Sequence, residues 1–210
     1  MTSIKNQPSY LKAIVIVHGK SELQINNFIK QSLRLKIESY SEHNGENSIQ
    51  IDGLNKILDN SIFRSIDKLY KKYPDLNVVG KGRKKRIENF RLFIIMDTDD
   101  CKKNDKESFK NKEMFKGHWA YDYIVPIFND KNLEEVLQSC GIVYEKVSPK
   151  KLKSEYIKIF PTHKKYTQKT DKLQIDEFNN KLKSSKKTNM YEFIDYCIEV
   201  SKDNIYLNKR

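Results

Sequence analysis

Four polar residues, Asp97-Thr98-Asp99-Asp100, directly follow the most apolar run of the chain, residues 90–96. That run predicts a central strand, and ligands of open α/β sheets bind at the carboxyl ends of strands. Carboxylates gathered there repel one another unless a cation joins them. Alternate residues leaving a strand project to the same side, so Asp97 and Asp99 are expected to share one ion. Mg²⁺ suits such oxygen ligands. A simple helix cap is the alternative.

A second polar segment, HGKSE at 18–22, follows another short apolar run, AIVIV at 13–17. The letters GKS belong to a phosphate-binding loop motif. That motif also needs a glycine at position 14, where the chain has Ile14. The sequence therefore excludes a nucleotide-binding loop of that type.

Three side chains of the second segment could take part in catalysis or binding. His18 can accept and donate a proton near neutral pH. Glu22 lies about one helical turn further on, so its carboxylate can point back toward Asp97. Its alternative role is that of a first-turn acid favoured by the helix dipole. Lys20, between them, can meet a phosphate.

Short apolar runs alternate with amphipathic segments along the first two thirds of the chain. This alternation predicts a mainly parallel α/β sheet flanked by helices. The strands are predicted at 13–17, 37–40, 49–51, 90–96 and 123–128. Helices are predicted from Ser21, from Asp52 to Tyr73, and after Asn129. Pro126 indicates an edge or irregular position for the last strand.

From residue 142 the pattern changes to a Lys-rich tail with helices predicted at 149–158, 171–183 and 188–201. We therefore expect an α/β core at 1–141 and a helical extension at 142–210 that packs on the core. Three widely spaced cysteines, without a CxxC pair, argue against a zinc site or a disulfide framework. No signal peptide or membrane span is evident, which favours a cytoplasmic protein with no membrane partner.

Taken together, IVIVHGKSE and LFIIMDTDD resemble the two motifs of the Toprim domain, a strand ending in Glu-Gly and a later strand ending in Asp-x-Asp. The resemblance covers about residues 13–140 and is strongest to small stand-alone Toprim proteins and to OLD-family nucleases. Gly19, Ser21 and Glu22 match the first motif, and Asp97 and Asp99 match the metal-binding pair. The first glutamate of the family falls on His18, which is the main departure.

The resemblance implies a Toprim-like, Rossmann-like core and a Mg²⁺-dependent or Mn²⁺-dependent phosphodiester hydrolase. It assigns the metal to Glu22, Asp97 and Asp99, and the proton transfer to His18. A histidine there also suits Mn²⁺ better than a purely oxygen site does. Family members often carry further acids after the next strand, so Glu134 is expected to support a second metal, unless it is an ordinary first-turn acid.

Charge points to a polyanionic partner. The chain has 40 basic and 28 acidic side chains, and its net charge is +12, a field that attracts nucleic acid, DNA or RNA. A basic run before the central strand is a candidate for backbone contacts, although such runs are also found in solvated loops. Its basic residues are Lys81, Arg83, Lys84, Lys85 and Arg86.

Three functions remain open from the sequence. The first is a nuclease, with a role in phage defence or RNA processing by analogy. The second is a non-catalytic Toprim-like module that binds nucleic acid or protein beside a partner such as an ATPase or another defence protein, because His18 breaks the motif. The third is nucleotide binding at the same acidic edge without strand cleavage.

Overall fold

A computed structural model describes residues 10–147, 156–160 and 168–207. Eight strands and seven α-helices are assigned within these ranges. In chain order they are β1 (Ala13–Val17), α1 (Lys20–Ser32), β2 (Ile37–Tyr40), α2 (Leu54–Asn60), α3 (Ile66–Lys72), β3 (Val78–Val79), β4 (Arg86–Ile87), β5 (Arg91–Asp97), α4 (Lys103–Lys110), β6 (Ile124–Asn129), α5 (Leu133–Ser139), β7 (Glu145–Val147), β8 (Tyr156–Lys158), α6 (Gln168–Lys183) and α7 (Met190–Leu207).

The main sheet has four parallel strands in the order β2-β1-β5-β6. The two most apolar runs of the sequence, β1 and β5, occupy its centre. All five residues of β1 are buried, as are the five residues from Leu92 to Met96 of β5. Continuous burial is expected where helices cover both faces of a parallel sheet. The predicted parallel α/β sheet flanked by helices is confirmed.

Each face of the sheet has its own hydrophobic core. Alternate residues of the central strands point to opposite faces, so Val15 and Phe93 lie in one cluster, and Ile14 and Leu92 lie in the other. Side chains of α1, α5, α6 and α7 complete the first cluster. Side chains of α2, α3 and α4 complete the second.

The last strand of the sheet, β6, lies at its edge, as Pro126 predicted. A side chain replaces the missing neighbour strand. Asn189 donates from Nδ2 to the carbonyl of Pro126 and accepts at Oδ1 from the backbone N–H of Phe128, at 3.0 and 2.9 Å. The open edge is therefore partly covered by the loop before α7.

Several local predictions were wrong. No strand forms at 49–51, because Ile49 pairs only with His18 and residues 51–53 form a 3₁₀ turn. The long helix predicted over 52–73 is interrupted at residues 61–65, where the side chains of Ser61 and Ser65 cap new helical turns. Gly19, rather than Ser21, is the N-cap of α1.

The tail holds strands as well as helices. Of the helix predicted at 149–158, residues 156–158 form β8, and residues 149–155 lie outside the described ranges. Helix α6 covers the helix predicted at 171–183 and begins three residues earlier, and α7 begins two residues after the start of the helix predicted at 188–201 and extends six residues beyond its end. The Tyr196 hydroxyl on α7 donates to the carbonyl of Lys12 at 2.8 Å, at the start of β1. No helix in the described ranges is long and apolar enough to cross a membrane.

We predict that α7 is an integral part of the core. Phe193 is fully buried, and its ring meets that of Phe93 edge-on with centroids 5.1 Å apart. Phe193→Ala should lower the free energy of unfolding in urea by about 3–5 kcal/mol, because it leaves a cavity against the sheet. Leu173→Ala on α6 is the matched control, since that side chain is 56% exposed and its loss should change stability by less than about 0.5 kcal/mol. Equal effects of the two substitutions would contradict this packing.

Candidate active site

The order of the strands creates a switch point between β1 and β5. The chain leaves β1 toward β2 on one side and leaves β5 toward β6 on the other. A crevice therefore opens between the carboxyl ends of β1 and β5, the usual ligand position in such sheets. His18 follows β1, and its backbone N–H donates to the carbonyl of Ile95 on β5 at 2.9 Å. Asp97 ends β5, two residues further on.

Ile49 fixes the orientation of His18 by two contacts. Its backbone N–H donates to the carbonyl of His18, and its carbonyl lies 2.8 Å from Nδ1 of the His18 ring. A carbonyl only accepts, so Nδ1 carries the proton. The neutral ring therefore has its lone pair on Nε2, which faces Oδ2 of Asp97 at 3.9 Å. An imidazole with one nitrogen bound to a backbone carbonyl and the other open is the usual arrangement of a metal-binding or proton-accepting histidine.

Asp97 is held from the neighbouring strand. Asn129 lies directly opposite it in the β5–β6 register, and its Nδ2 donates to Oδ1 of Asp97 at 2.9 Å. Asn129 is completely buried and accepts in turn from the hydroxyl of Thr188 at 3.1 Å. The backbone N–H of Leu133 also donates to Asp97. The bond from Asn129 fixes Oδ1 of the carboxylate, and Oδ2 lies toward His18.

Glu22 turns back from the first turn of α1 toward the crevice. Its Oε2 accepts from the backbone N–H of Gly19 at 3.0 Å, and the side chain is almost completely buried. This contact ties the carboxylate to the start of the helix, where the helix dipole favours negative charge. The charge of Glu22 raises the pKa of Asp97. This interaction agrees with the prediction that Glu22 points back toward Asp97.

The ionised form of both carboxyl groups, Glu22 and Asp97, is disfavoured in the folded protein. Burial raises the pKa of Glu22 above its ordinary value, and the neighbouring His18 partly opposes the shift. Burial, followed by the charge of Glu22, raises the pKa of Asp97 from 3.8 to about 8, and the hydrogen bond from Asn129 partly opposes it. Such shifts arise where carboxylates are close, desolvated and without a cation. They also mark candidate functional sites.

A pocket of about 350 Å³ surrounds these groups. One wall is the turn at 43–46, which lies against the start of α1. Gly45 has a φ of +81°, and a Cβ there would lie 2.9 Å from the backbone of Lys20. Glycine is therefore required by both conformation and space. Further lining residues are Lys20, Ser21, Ser48, Asn132, Leu133, Glu134 and Ile157.

The other predicted site residues are distributed unevenly. Lys20 lines the pocket, and its ammonium donates to the carbonyl of Asn44. Glu134 also lines the pocket, where it forms an ion pair with Lys146 at 2.8 Å. Asp99, by contrast, is exposed and accepts a hydrogen bond from Asn132 at 3.3 Å. Asp99 therefore lies at the rim of the pocket, near enough for its charge to raise the pKa of Asp97.

The predicted basic nucleic-acid-binding run lies at the opposite edge of the sheet. Lys81, Arg83, Lys84, Lys85 and Arg86 belong to the β3–β4 hairpin or its loop. The hairpin is anchored where the backbone N–H of Ile87 donates to the hydroxyl of Tyr123, immediately before β6 begins. The length of β6 separates this anchor from the site by roughly 17 Å. The run is not part of the pocket.

Two site residues were missed by the sequence reasoning. The sequence predicts a helix after Asn129 and a strand through Ile49, and it does not indicate that Asn129 holds Asp97 or that Ile49 holds His18. A polar residue ending the strand next to Asp97 was a usable signal for Asn129, once β5 and β6 were taken as neighbours. Nothing in the sequence around Ile49 signals its role, because it acts through backbone atoms.

The fold and site together define an α/β protein with an acidic, histidine-containing pocket at the switch point of a parallel sheet. Among the described residues, no three His, Cys, Asp or Glu side chains form a group arranged to hold a metal ion. No protein-family model, curated protein or solved structure matches the chain.

We predict opposite tautomers for two histidines. His18 should carry its proton on Nδ1. His118 should carry its proton on Nε2, because its Nδ1 accepts from the backbone N–H of Ala120 at 3.2 Å. Long-range ¹⁵N–¹H NMR at pH 8 distinguishes the two forms by the shifts of the ring nitrogens. An Nε2-protonated His18 would contradict the proposed orientation, and His118 serves as the internal reference.

We also predict that the ionisation of Asp97 lowers the free energy of unfolding as the pH rises. Its folded-state pKa of about 8 lies above the unfolded value of about 3.8, so the folded protein binds the extra proton between those values. The protonated Asp97 carboxyl contributes its full stabilisation below about pH 4, and this contribution is lost as the pH rises through 8. Asp97→Asn stays neutral, so in EDTA its advantage over the wild type should grow between pH 5 and 8, by at most about 1.4 kcal/mol per pH unit.

Urea unfolding at several pH values measures this difference. Asp75→Asn is the control, because Asp75 is exposed and paired with Lys36 far from the pocket. A constant difference between Asp97→Asn and the wild type from pH 5 to 8 would show that the carboxyl is not desolvated.

Proposed function

We propose that this chain is a metal-dependent phosphodiester hydrolase that cleaves DNA or RNA with a Toprim-like core. The observation that supports it best is the placement of His18, Glu22 and Asp97 in one pocket at the switch point. Two buried carboxyl groups there lack a basic partner other than the histidine, among the residues the structure describes. A divalent cation is the natural complement of such a pair.

The residues fit Mg²⁺ or Mn²⁺ in part. The absence of a ready three-residue group in the described ranges excludes a fully protein-bound site in this arrangement. Mg²⁺ does not require one, since it commonly takes one or two carboxylates together with water and phosphate oxygens. Glu22 and Asp97 would supply the carboxylates. Nε2 of His18 lies 3.9 Å from Oδ2 of Asp97, and in this arrangement it would stay free of the ion and could accept a proton. Such an ion would activate water and offset charge on a phosphate.

The residues of the chain then have separate roles. His18 can accept a proton from water at Nε2, because Ile49 holds the proton on Nδ1. Asn129 and Leu133 keep the Asp97 carboxylate in place. The first residues of α1 line the pocket, and a helix N-terminus favours a phosphate. Lys20, at the same turn, is placed to contact a phosphate oxygen.

A second candidate is a non-catalytic binding module that acts beside a partner such as an ATPase. Two observations favour it. His18 stands where the Toprim motif has a glutamate, and no three-residue metal group is formed by the described residues. Such a module would keep the pocket shape and bind nucleic acid or protein without cutting.

Cleavage assays test the first candidate directly. We expect labelled DNA or RNA to be cut with Mg²⁺ or Mn²⁺ and not with EDTA. Asp97→Asn should abolish cleavage, and His18→Gln should slow it by about 10²–10⁴-fold, the usual contribution of a general base. Asn129→Ala should slow it by about 10–100-fold, since it removes the support of a ligand. Asp75→Asn should cut as the wild type does.

One further variant separates the two candidates. His18→Glu restores the acid of the Toprim motif. If the wild type is folded but inert with every substrate and metal, and His18→Glu cuts with Mg²⁺, the natural chain is the binding module. If neither protein cuts, and Mg²⁺ and Mn²⁺ leave the melting temperature of the wild type unchanged, the hydrolase proposal fails.

A further inference from the structure

The end of β6 links the pocket to a group of lysines. Its last residue, Asn129, holds Asp97, and the residues on either side of Asn129 contact basic side chains. Phe128 precedes it and Asp130 follows it. Phe128 belongs to β6, so its side chain points to the face opposite to that of Asn129. The basic side chains that contact Phe128 and Asp130 do not line the pocket.

Three lysines from two different segments gather there. The ammonium of Lys106 on α4 is bonded to the carboxylate of Asp130. The ammonium of Lys110, one turn later, lies 4.0 Å from the centre of the Phe128 ring, a cation–π contact. Lys187, in the loop before α7, accepts at its carbonyl from the backbone N–H of Asp130 at 2.7 Å. We call these three residues the basic lip.

The basic lip carries more positive charge than it neutralises internally. The hydrogen bond from Lys106 is the largest cause of a lowered pKa of Asp130, and the charges of Lys110 and Lys187 add to it. Among the described residues, only Lys106 of the three forms an ion pair. The acids Asp99, Asp100 and Asp105 lie with Lys106 around Cys101 at the start of α4, and Lys110 ends the helix one turn further on. Two ammonium groups thus remain for an external anion.

Position distinguishes this lip from the β3–β4 hairpin. The lip adjoins Phe128 and Asp130 at the carboxyl end of β6, the strand next to the one that carries Asp97. The hairpin is anchored at the amino edge.

We propose that Lys106, Lys110 and Lys187 bind the phosphate backbone of the nucleic acid next to the scissile bond. This inference rests on the proposed nuclease function and names the surface that holds its substrate. Lysine contacts of this kind position the strand without reading its sequence. They contribute in proportion to the counterions released.

Salt-dependent binding tests the lip without requiring cleavage. In the Asp97→Asn background, fluorescence anisotropy measures the affinity for a labelled oligonucleotide at salt concentrations from about 50 to about 200 mM. Phosphate contacts weaken strongly over this range. Lys110→Gln/Lys187→Gln should reduce the slope of log affinity against log salt by about 1.4 for a single strand and about 1.8 for a duplex. Lys106 is kept, so that Asp130 stays paired.

Lys71→Gln/Lys72→Gln is the matched control, because it removes two exposed lysines from the end of α3. Its slope should equal that of the background protein, and thermal melting checks that all variants are folded. An unchanged slope in Lys110→Gln/Lys187→Gln overturns the inference, as does an equal loss in the control pair. A loss found only in Arg83→Gln/Lys84→Gln overturns it in favour of the hairpin.

The same experiment separates the two proposals. If the wild type cuts and binds while the lip variant keeps its slope, the nuclease stands and the lip does not. If the wild type neither cuts nor binds nucleic acid, both proposals fall. If it binds through the lip but does not cut, the binding module is correct and the lip is retained.

Discussion

The pairing of β1 with β5 is the constraint on which the site depends. These strands are the two most apolar runs, and each can be buried only if helices cover both faces of the sheet. Once they are neighbours, their carboxyl ends must lie side by side, and the polar residues that end each run meet. His18 and Asp97 are 79 positions apart in the chain, yet their side chains face each other because the strands pair in parallel register. The chemistry of the pocket is thus a consequence of burial.

This dependence explains what could and could not be foreseen. Apolar runs bounded by polar residues are local signals, so β1, β5 and the positions of His18, Glu22 and Asp97 could be predicted from the sequence. The exposed position of Asp99 could not, because the backbone stops being a strand after Asp97 and alternation no longer fixes the direction of the side chain. The distance of the Lys81–Arg86 hairpin from the pocket could not be predicted for a related reason. The hairpin's nearness to β5 in sequence says nothing about which end of the sheet it joins.

The buried carboxyl groups are tolerated because the fold surrounds them with neutral donors. Asn129, Leu133 and Gly19 all present N–H groups that stabilise a carboxylate without a full charge. Thr188 orients Asn129, so a residue from the tail helps to fix an oxygen of the pocket. The tail therefore has a role in the site as well as in the core, since Ser21 also accepts from the backbone of Ile157 on β8.

The histidine at position 18 has a physical meaning whichever function is correct. A glutamate there would add a third carboxyl group beside Glu22 and Asp97, and the resulting repulsion would be relieved only by a bound cation. A neutral imidazole adds no negative charge, so the pocket carries less repulsion than one with three carboxyl groups. A nitrogen donor also suits transition metals better than Mg²⁺. If the proposed hydrolase function is correct, the protein is therefore expected to stay folded without its ion and to bind that ion when it is supplied.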